Sequence, residues 1–178
     1  MLIVLTGAIG VGKSTVCHKI AEAVCRAGFG CGGVITTKGD AGTIIVRDVG
    51  SGEQTILAGP VGEYAGLATE KYSFNPAALA FGERAIERGI SQFMLLVDEI
   101  GPLEIGGGGF IGALELINTR SEGNQLLVIR SELVTSFLPV IQRAPVIFET
   151  TVGNRDQLPG RISKLVLTRR PHEDESYA

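Results

Sequence analysis

The run Gly7-Ala8-Ile9-Gly10-Val11-Gly12-Lys13-Ser14 packs three glycines, a lysine and a hydroxyl into one short segment and fits the pattern GxxxxGK[ST]. Such a run suits a chain of phosphates. Several backbone N–H groups must point inward, which needs tight turns that glycine adopts at little cost, and a helix starting there adds a favourable dipole. Lys13 is expected to reach the β- and γ-phosphates and the Ser14 hydroxyl to ligate Mg²⁺. Gly7, Ala8, Ile9, Gly10, Val11, Gly12, Lys13, Ser14 and Thr15 are therefore the expected nucleotide-binding residues. The alternative is a glycine-rich turn that matches by accident. The strand-like Leu2 to Thr6 before it and the helical pattern after it argue against that.

A second group lies at Met94-Leu95-Leu96-Val97-Asp98-Glu99, where an apolar strand delivers two acids at its carboxyl end. Asp98 is expected to hold Mg²⁺ through its water shell, with Ser14 as the other metal residue. Glu99 is expected to orient and polarise an attacking water, which makes Lys13 and Glu99 the catalytic candidates. Acids at a strand end can also simply begin a solvated loop. Asn154 and Arg155, after a later strand, could flank a base or supply positive charge to phosphates; a solvated surface arginine is the plainer reading. Arg130 shares that position at a strand end with less support, and Glu104 is a weaker candidate to back the magnesium site. Tyr64 and Tyr72 could shield a nucleotide, although core packing is the commoner use of an aromatic.

The elements that must position these groups alternate between short β-branched runs and helical stretches. Leu2 to Thr6 reads as a buried strand and Lys13 to Ala27 as a helix with Val16, Ile20, Ala23, Val24 and Ala27 on one face. Gly33 to Thr37, Thr43 to Val49 and Gln54 to Leu57 read as a strand followed by a hairpin or small meander. Asn75-Pro76 reads as an N-cap and first-turn proline opening a helix to about Arg88. Strands are expected at Phe93 to Val97, Leu126 to Ile129 and Val146 to Glu149. Helices are expected at Phe110 to Thr119, at Leu133 to Gln142 with a disturbance at Pro139, and from near Pro159 to Leu167. This alternation predicts an α/β fold with a mostly parallel sheet flanked by helices, its ligands outside the carboxyl ends of the strands. One domain over residues 1–168 and a polar tail over 169–178 are expected.

Composition bounds the partners. The chain has 178 residues with 16 Lys+Arg against 19 Asp+Glu, so no global positive field attracts nucleic acid or anionic lipid and any anion must be held by local geometry. No apolar stretch reaches the roughly 18 residues of a membrane span, and Met1 runs directly into an apolar strand. The three cysteines, Cys17, Cys25 and Cys31, lack CxxC spacing and fit a reducing compartment, so a cytoplasmic protein is expected. Glycine, at 25 of 178 residues, is in excess and points to backbone that turns sharply or approaches a ligand.

Asp98-Glu99-Ile100-Gly101-Pro102-Leu103-Glu104 resembles the DEIGxME signature of the small THEP-type nucleoside-triphosphatases, whose chains are of this size and open on such a glycine-rich loop. Gly62 to Phe74 is similar to that family's VGxY…YxV loop, and Val146 to Asp156 to its later strand and ENRD-like segment. The resemblance runs to about Leu167. Pro102 and Leu103 depart from it, standing where many members carry Lys and Met, as do Gly106 to Gly109 and Pro159-Gly160. The resemblance implies a RecA-like P-loop fold with a small antiparallel β insertion. It also implies Mg²⁺-dependent hydrolysis of nucleoside triphosphates, ATP and GTP among them, with broad base tolerance. A phosphotransferase acting on a nucleotide or small metabolite, with Glu99 as base toward an acceptor hydroxyl, is the second reading. A nucleotide-dependent switch that binds a protein partner is the third.

Overall fold

In the computed structural model, which describes residues 1–120 and 122–168, eight strands form one sheet in the order β5-β4-β3-β2-β6-β7-β1-β8. These are β1 (Leu2–Thr6), β2 (Cys31–Lys38), β3 (Ile44–Asp48), β4 (Gln54–Pro60), β5 (Tyr72–Phe74), β6 (Met94–Ile100), β7 (Asn124–Ile129) and β8 (Val146–Glu149). β2, β6, β7, β1 and β8 run parallel, with Leu2 opposite Gln125, Ile3 opposite Val146, and Leu96 opposite both Gly33 and Leu126. β3, β4 and β5 add an antiparallel meander to the β2 edge, and this is the predicted insertion. The expected polar tail over 169–178 lies outside the described residues.

Helices cover both faces: α1 (Lys13–Arg26), α2 (Pro76–Gly89), α3 (Pro102–Ile105), α4 (Gly112–Thr119), α5 (Val134–Phe137) and α6 (Leu158–Thr168). Two-residue alternation splits the sheet's side chains between two apolar layers. Leu2, Val4, Leu95, Val97, Leu127 and Ile129 pack with α2 and α4. Ile3, Leu5, Leu96, Leu126 and Val128 pack with Val16, Ile20 and Val24 of α1 and Ile162 and Val166 of α6. α2 starts as its sequence requires, the Asn75 side chain accepting the Ala77 N–H at 3.0 Å with Pro76 in the first turn. Among the described residues no helix is long and apolar enough to cross a membrane.

Several elements differ from expectation. The helix foreseen over Leu133 to Gln142 breaks into α5 flanked by single 3₁₀ turns at Ser131–Leu133 and Leu138–Val140, because Pro139 has no N–H for a continuing helix. β6 runs three residues further than foreseen, so Asp98 and Glu99 sit within its final turn of pleat. β5 and α3, of three and four residues, were not foreseen; both are shorter than the windows in which periodicity is legible. Pro159 and Gly160 lie in the first turn of α6, where a missing N–H costs little.

Candidate functional site

The loop between β1 and α1 wraps around its own lysine. Gly7, Gly10 and Gly12 have φ of 144°, 77° and 108°, values that favour glycine, and a Cβ on Gly7 would meet the Thr150 carbonyl oxygen at 2.5 Å. The glycines foreseen from phosphate geometry are thus also required by the fold. Lys13 is buried, and its Nζ donates to the carbonyls of Gly7 at 2.8 Å and Ala8 at 3.0 Å. Two neutral acceptors are a weak match for an ammonium group. A phosphate oxygen in the same loop would compete for it on favourable terms.

β6 stands two strands from β1, with β7 between them, and its end faces the loop. Asp98 is 1% exposed, and its Oδ2 has no hydrogen-bond partner among the described residues. Burial pushes its carboxyl up to about 7; a hydrogen bond from the Ser14 hydroxyl pulls the other way, the Glu99 charge pushes it further up, and Lys13 and the Thr36 N–H pull it down. A buried carboxylate with an orphaned oxygen, beside a serine hydroxyl, is a hard-oxygen donor set of the kind Mg²⁺ takes. The residues present therefore fit the ion.

Glu99, next to Asp98, is held by the residue after β7. Its Oε1 accepts both Nε (2.6 Å) and Nη2 (2.5 Å) of Arg130, the residue that follows β7. This partly buried ion pair holds the carboxylate in one orientation at the carboxyl ends of adjacent strands. Arg130, the weaker of the strand-end candidates in the sequence, is the one the structure pairs with Glu99. Its only signal was its place immediately after a strand, and the pairing spans 31 residues of sequence.

Glu104, the weaker candidate to back the magnesium site, accepts backbone N–H groups on both carboxylate oxygens. It is buried, and burial raises its pKa against the hydrogen bonds it accepts from Phe110 N–H at 2.8 Å and Gly101 N–H at 2.7 Å. It clamps the loop after β6 into a ring. Gly109, with φ of 60°, packs its backbone onto that carboxylate, where a Cβ would collide with Glu104 Oε1. The glycine run thus lets the clamp close at that point.

After β8, the Asn154 side chain accepts the Thr151 N–H at 2.9 Å and donates to the Glu149 carbonyl at 2.9 Å, fastening its own loop. Arg155 reaches over the glycine-rich loop: its Nη1 lies 3.5 Å from the Val11 carbonyl and its Cδ would touch a Cβ placed on Gly12 at 3.4 Å. A cavity of about 280 Å³ lined by Gly12, Thr15, Lys19, Arg155 and Asp156 opens there. A larger one, about 640 Å³, lies on the other side, between the meander, the Glu104 clamp, Glu99 and Arg130. Tyr72 lines the larger cavity, and Tyr64 lines neither.

A glycine-rich loop between β1 and α1, an acid at the end of β6 beside its serine, and a parallel β2-β6-β7-β1-β8 core define a P-loop NTPase. A family model described as NTPase matches residues 2–163. Curated relatives named nucleoside-triphosphatase THEP1 include one from Methanosarcina acetivorans, 33% identical with 94% of this chain and 97% of that protein covered. Another, from Thermofilum pendens, is 33% identical with 90% and 92% covered. The chain belongs to the THEP-type nucleoside-triphosphatase family. Its fold is similar to the crystal structure of THEP1 from Aquifex aeolicus (TM-score 0.69, 23% identity, 96% and 100% covered). It is also similar to the solution structure of a human cancer-related nucleoside triphosphatase (TM-score 0.76, 22% identity, 96% and 99% covered).

Proposed function

We propose that this chain hydrolyses nucleoside triphosphates to diphosphates and phosphate with Mg²⁺ and little discrimination between bases. The observation that carries the reading is convergence: Lys13 and Ser14 from the start of α1, Asp98 and Glu99 from β6, and Arg130 just after β7 lie together at the carboxyl ends of the parallel strands. The triphosphate lies in the backbone N–H groups of Gly7 to Thr15, and Lys13 exchanges its two carbonyls for phosphate oxygens. Ser14 and Asp98 would hold the ion, which supplies charge neutralisation on the transferring phosphoryl group. Glu99, aimed by Arg130, orients a water and accepts its proton.

Base tolerance is supported by what surrounds the smaller cavity. Both ends of the Asn154 amide are occupied by its own loop, Lys19 and Asp156 pair with each other, and the planar guanidinium of Arg155 can stack on any base. Phosphate release from ATP, GTP, CTP and UTP, measured for wild type and Lys13→Ala, tests the reading. The expected result is turnover of all four by wild type and near-complete loss in Lys13→Ala, with diphosphate binding less affected. Wild-type turnover in the variant contradicts it.

A further inference from the structure

The larger cavity is out of proportion to hydrolysis. A single water occupies about 30 Å³ of liquid volume, whereas the space beside Glu99 is about 640 Å³, within the range of small-molecule sites. None of its walls comes from the glycine-rich loop or from the loop after β8. They come from the ends of β2, β6 and β7, from the β3–β5 meander, from Leu79 of α2 and from the residues around α3. It therefore shares no wall with the cavity beside Arg155. The wall is also fixed, because Glu104 ties Gly101 and Phe110 together by backbone hydrogen bonds and so holds Leu103 and Phe110 in place.

We propose that this cavity binds an uncharged alcohol with an aromatic or aliphatic body, and that the enzyme transfers the γ-phosphoryl group to its hydroxyl. Leu57, Leu67, Phe74, Leu79, Leu103 and Phe110 supply apolar walls, and polar groups come from Glu99, Arg130 and Thr36 at the strand ends and from Thr69 to Lys71 before β5. The lining has no excess positive charge for an anionic occupant. Glu70, Glu99 and Glu104 outnumber Lys71 and Arg130, and the Arg130 guanidinium is taken up by Glu99. Glu99 is at once the cavity's carboxylate and the neighbour of Asp98, so a hydroxyl beside it occupies the place of the attacking water. In the transfer the alcohol oxygen bonds to the γ-phosphorus and the bond from that phosphorus to the β–γ bridging oxygen breaks. The electron pair leaves with the nucleoside diphosphate, and the hydroxyl proton passes to Glu99 and on to solvent. The products are a phosphomonoester and the diphosphate.

This inference rests on the nucleotide site described above, and the test separates the two. The full chain with Mg²⁺ and γ-labelled ATP is incubated with methanol, butan-1-ol, benzyl alcohol or naphthylmethanol at equal concentrations, and phosphomonoester and free phosphate are both counted. The ester-to-phosphate ratio should rise at least about tenfold from methanol to the aryl methanols, as burial of a ring predicts. Leu67→Trp, at a wall position that is 46% exposed and outside the phosphate site, should remove most of the ester while phosphate release in alcohol-free buffer is unchanged. Free phosphate as the sole labelled product with every alcohol overturns the acceptor site and leaves the hydrolase standing. Ester that forms equally from methanol, or that survives Leu67→Trp, overturns the cavity as its location. Loss of both products in wild type overturns both readings.

Discussion

At Asp98 a carboxyl group is kept out of water with one oxygen unpartnered among the described residues, a costly arrangement for a purely structural residue. Burial lifts its pKa from 3.8 to about 7 in the metal-free chain, so across that interval the folded protein keeps a proton that the unfolded chain releases. The stability this group contributes is therefore full below the ordinary carboxylate range, falls as pH rises through the interval, and stays lost above about 7. Asp98→Asn removes that loss. Calorimetry in EDTA at pH 8 should show the variant melting several degrees higher than wild type, while the Mg²⁺ concentration for half-maximal phosphate release rises. A variant that melts lower and keeps the wild-type metal requirement would mean that Asp98 is structural and another group holds the ion.

Among the elements, the β3–β4 hairpin packs on α2 through Val46, Leu57 and Ala58 and is tied to it by the Asp48 side chain. Asp48 accepts from Gly50 N–H at 2.8 Å, Ser51 Oγ at 2.9 Å and Arg88 Nη2 at 2.9 Å. Burial pushes its pKa up, but Arg88, Gly50 and Ser51 together outweigh that and leave it below the ordinary 3.8. A depressed folded pKa gives stability that is present above the ordinary range and lost as pH falls through the folded value. Asp48→Ala should cost about 1–3 kcal/mol at pH 7, and urea midpoints of variant and wild type should converge in acid. A gap that stays constant down to low pH would contradict the assignment.

What could be read before folding followed from how local each device is. Gly7 to Ser14 was legible because loop, lysine and helix start share one short segment, and Asp98-Glu99 because an apolar run leads straight into them. The Glu99–Arg130 pair was not legible, since it forms only when β6 and β7 lie side by side. The clamp made by Glu104 was not legible either, because its partners are backbone N–H groups that carry no sequence signal. The meander was readable from its glycine-bounded runs, whereas the three residues of β5 are defined by pairing with β4 and a bridge to Ala68.

Across the whole molecule, the sheet that aligns the strand ends is also what the two apolar layers share. Leu96 is fully buried in β6, two residues before Asp98, and packs in the layer under α1 and α6. Leu96→Ala should cost about 2–5 kcal/mol. For a chain of this size that is roughly 2–4 °C of melting temperature per kcal/mol. Because both layers rest on the same strand, fluorescence and circular dichroism should follow one coincident urea transition. Two separated transitions would show that the layers unfold independently and that the sheet does not couple them.

The central claim is that Glu99 activates the attacking water while Lys13, Ser14 and Asp98 hold the nucleotide and metal. Glu99→Gln keeps the side chain's size and an oxygen for Arg130 but removes its basicity, so the decisive measurement is single-turnover phosphate release alongside nucleotide and Mg²⁺ affinity in that variant. A rate loss on the order of 10²-fold or more with both affinities retained is the predicted result. An unchanged rate, or a rate that falls only because nucleotide no longer binds, would contradict it.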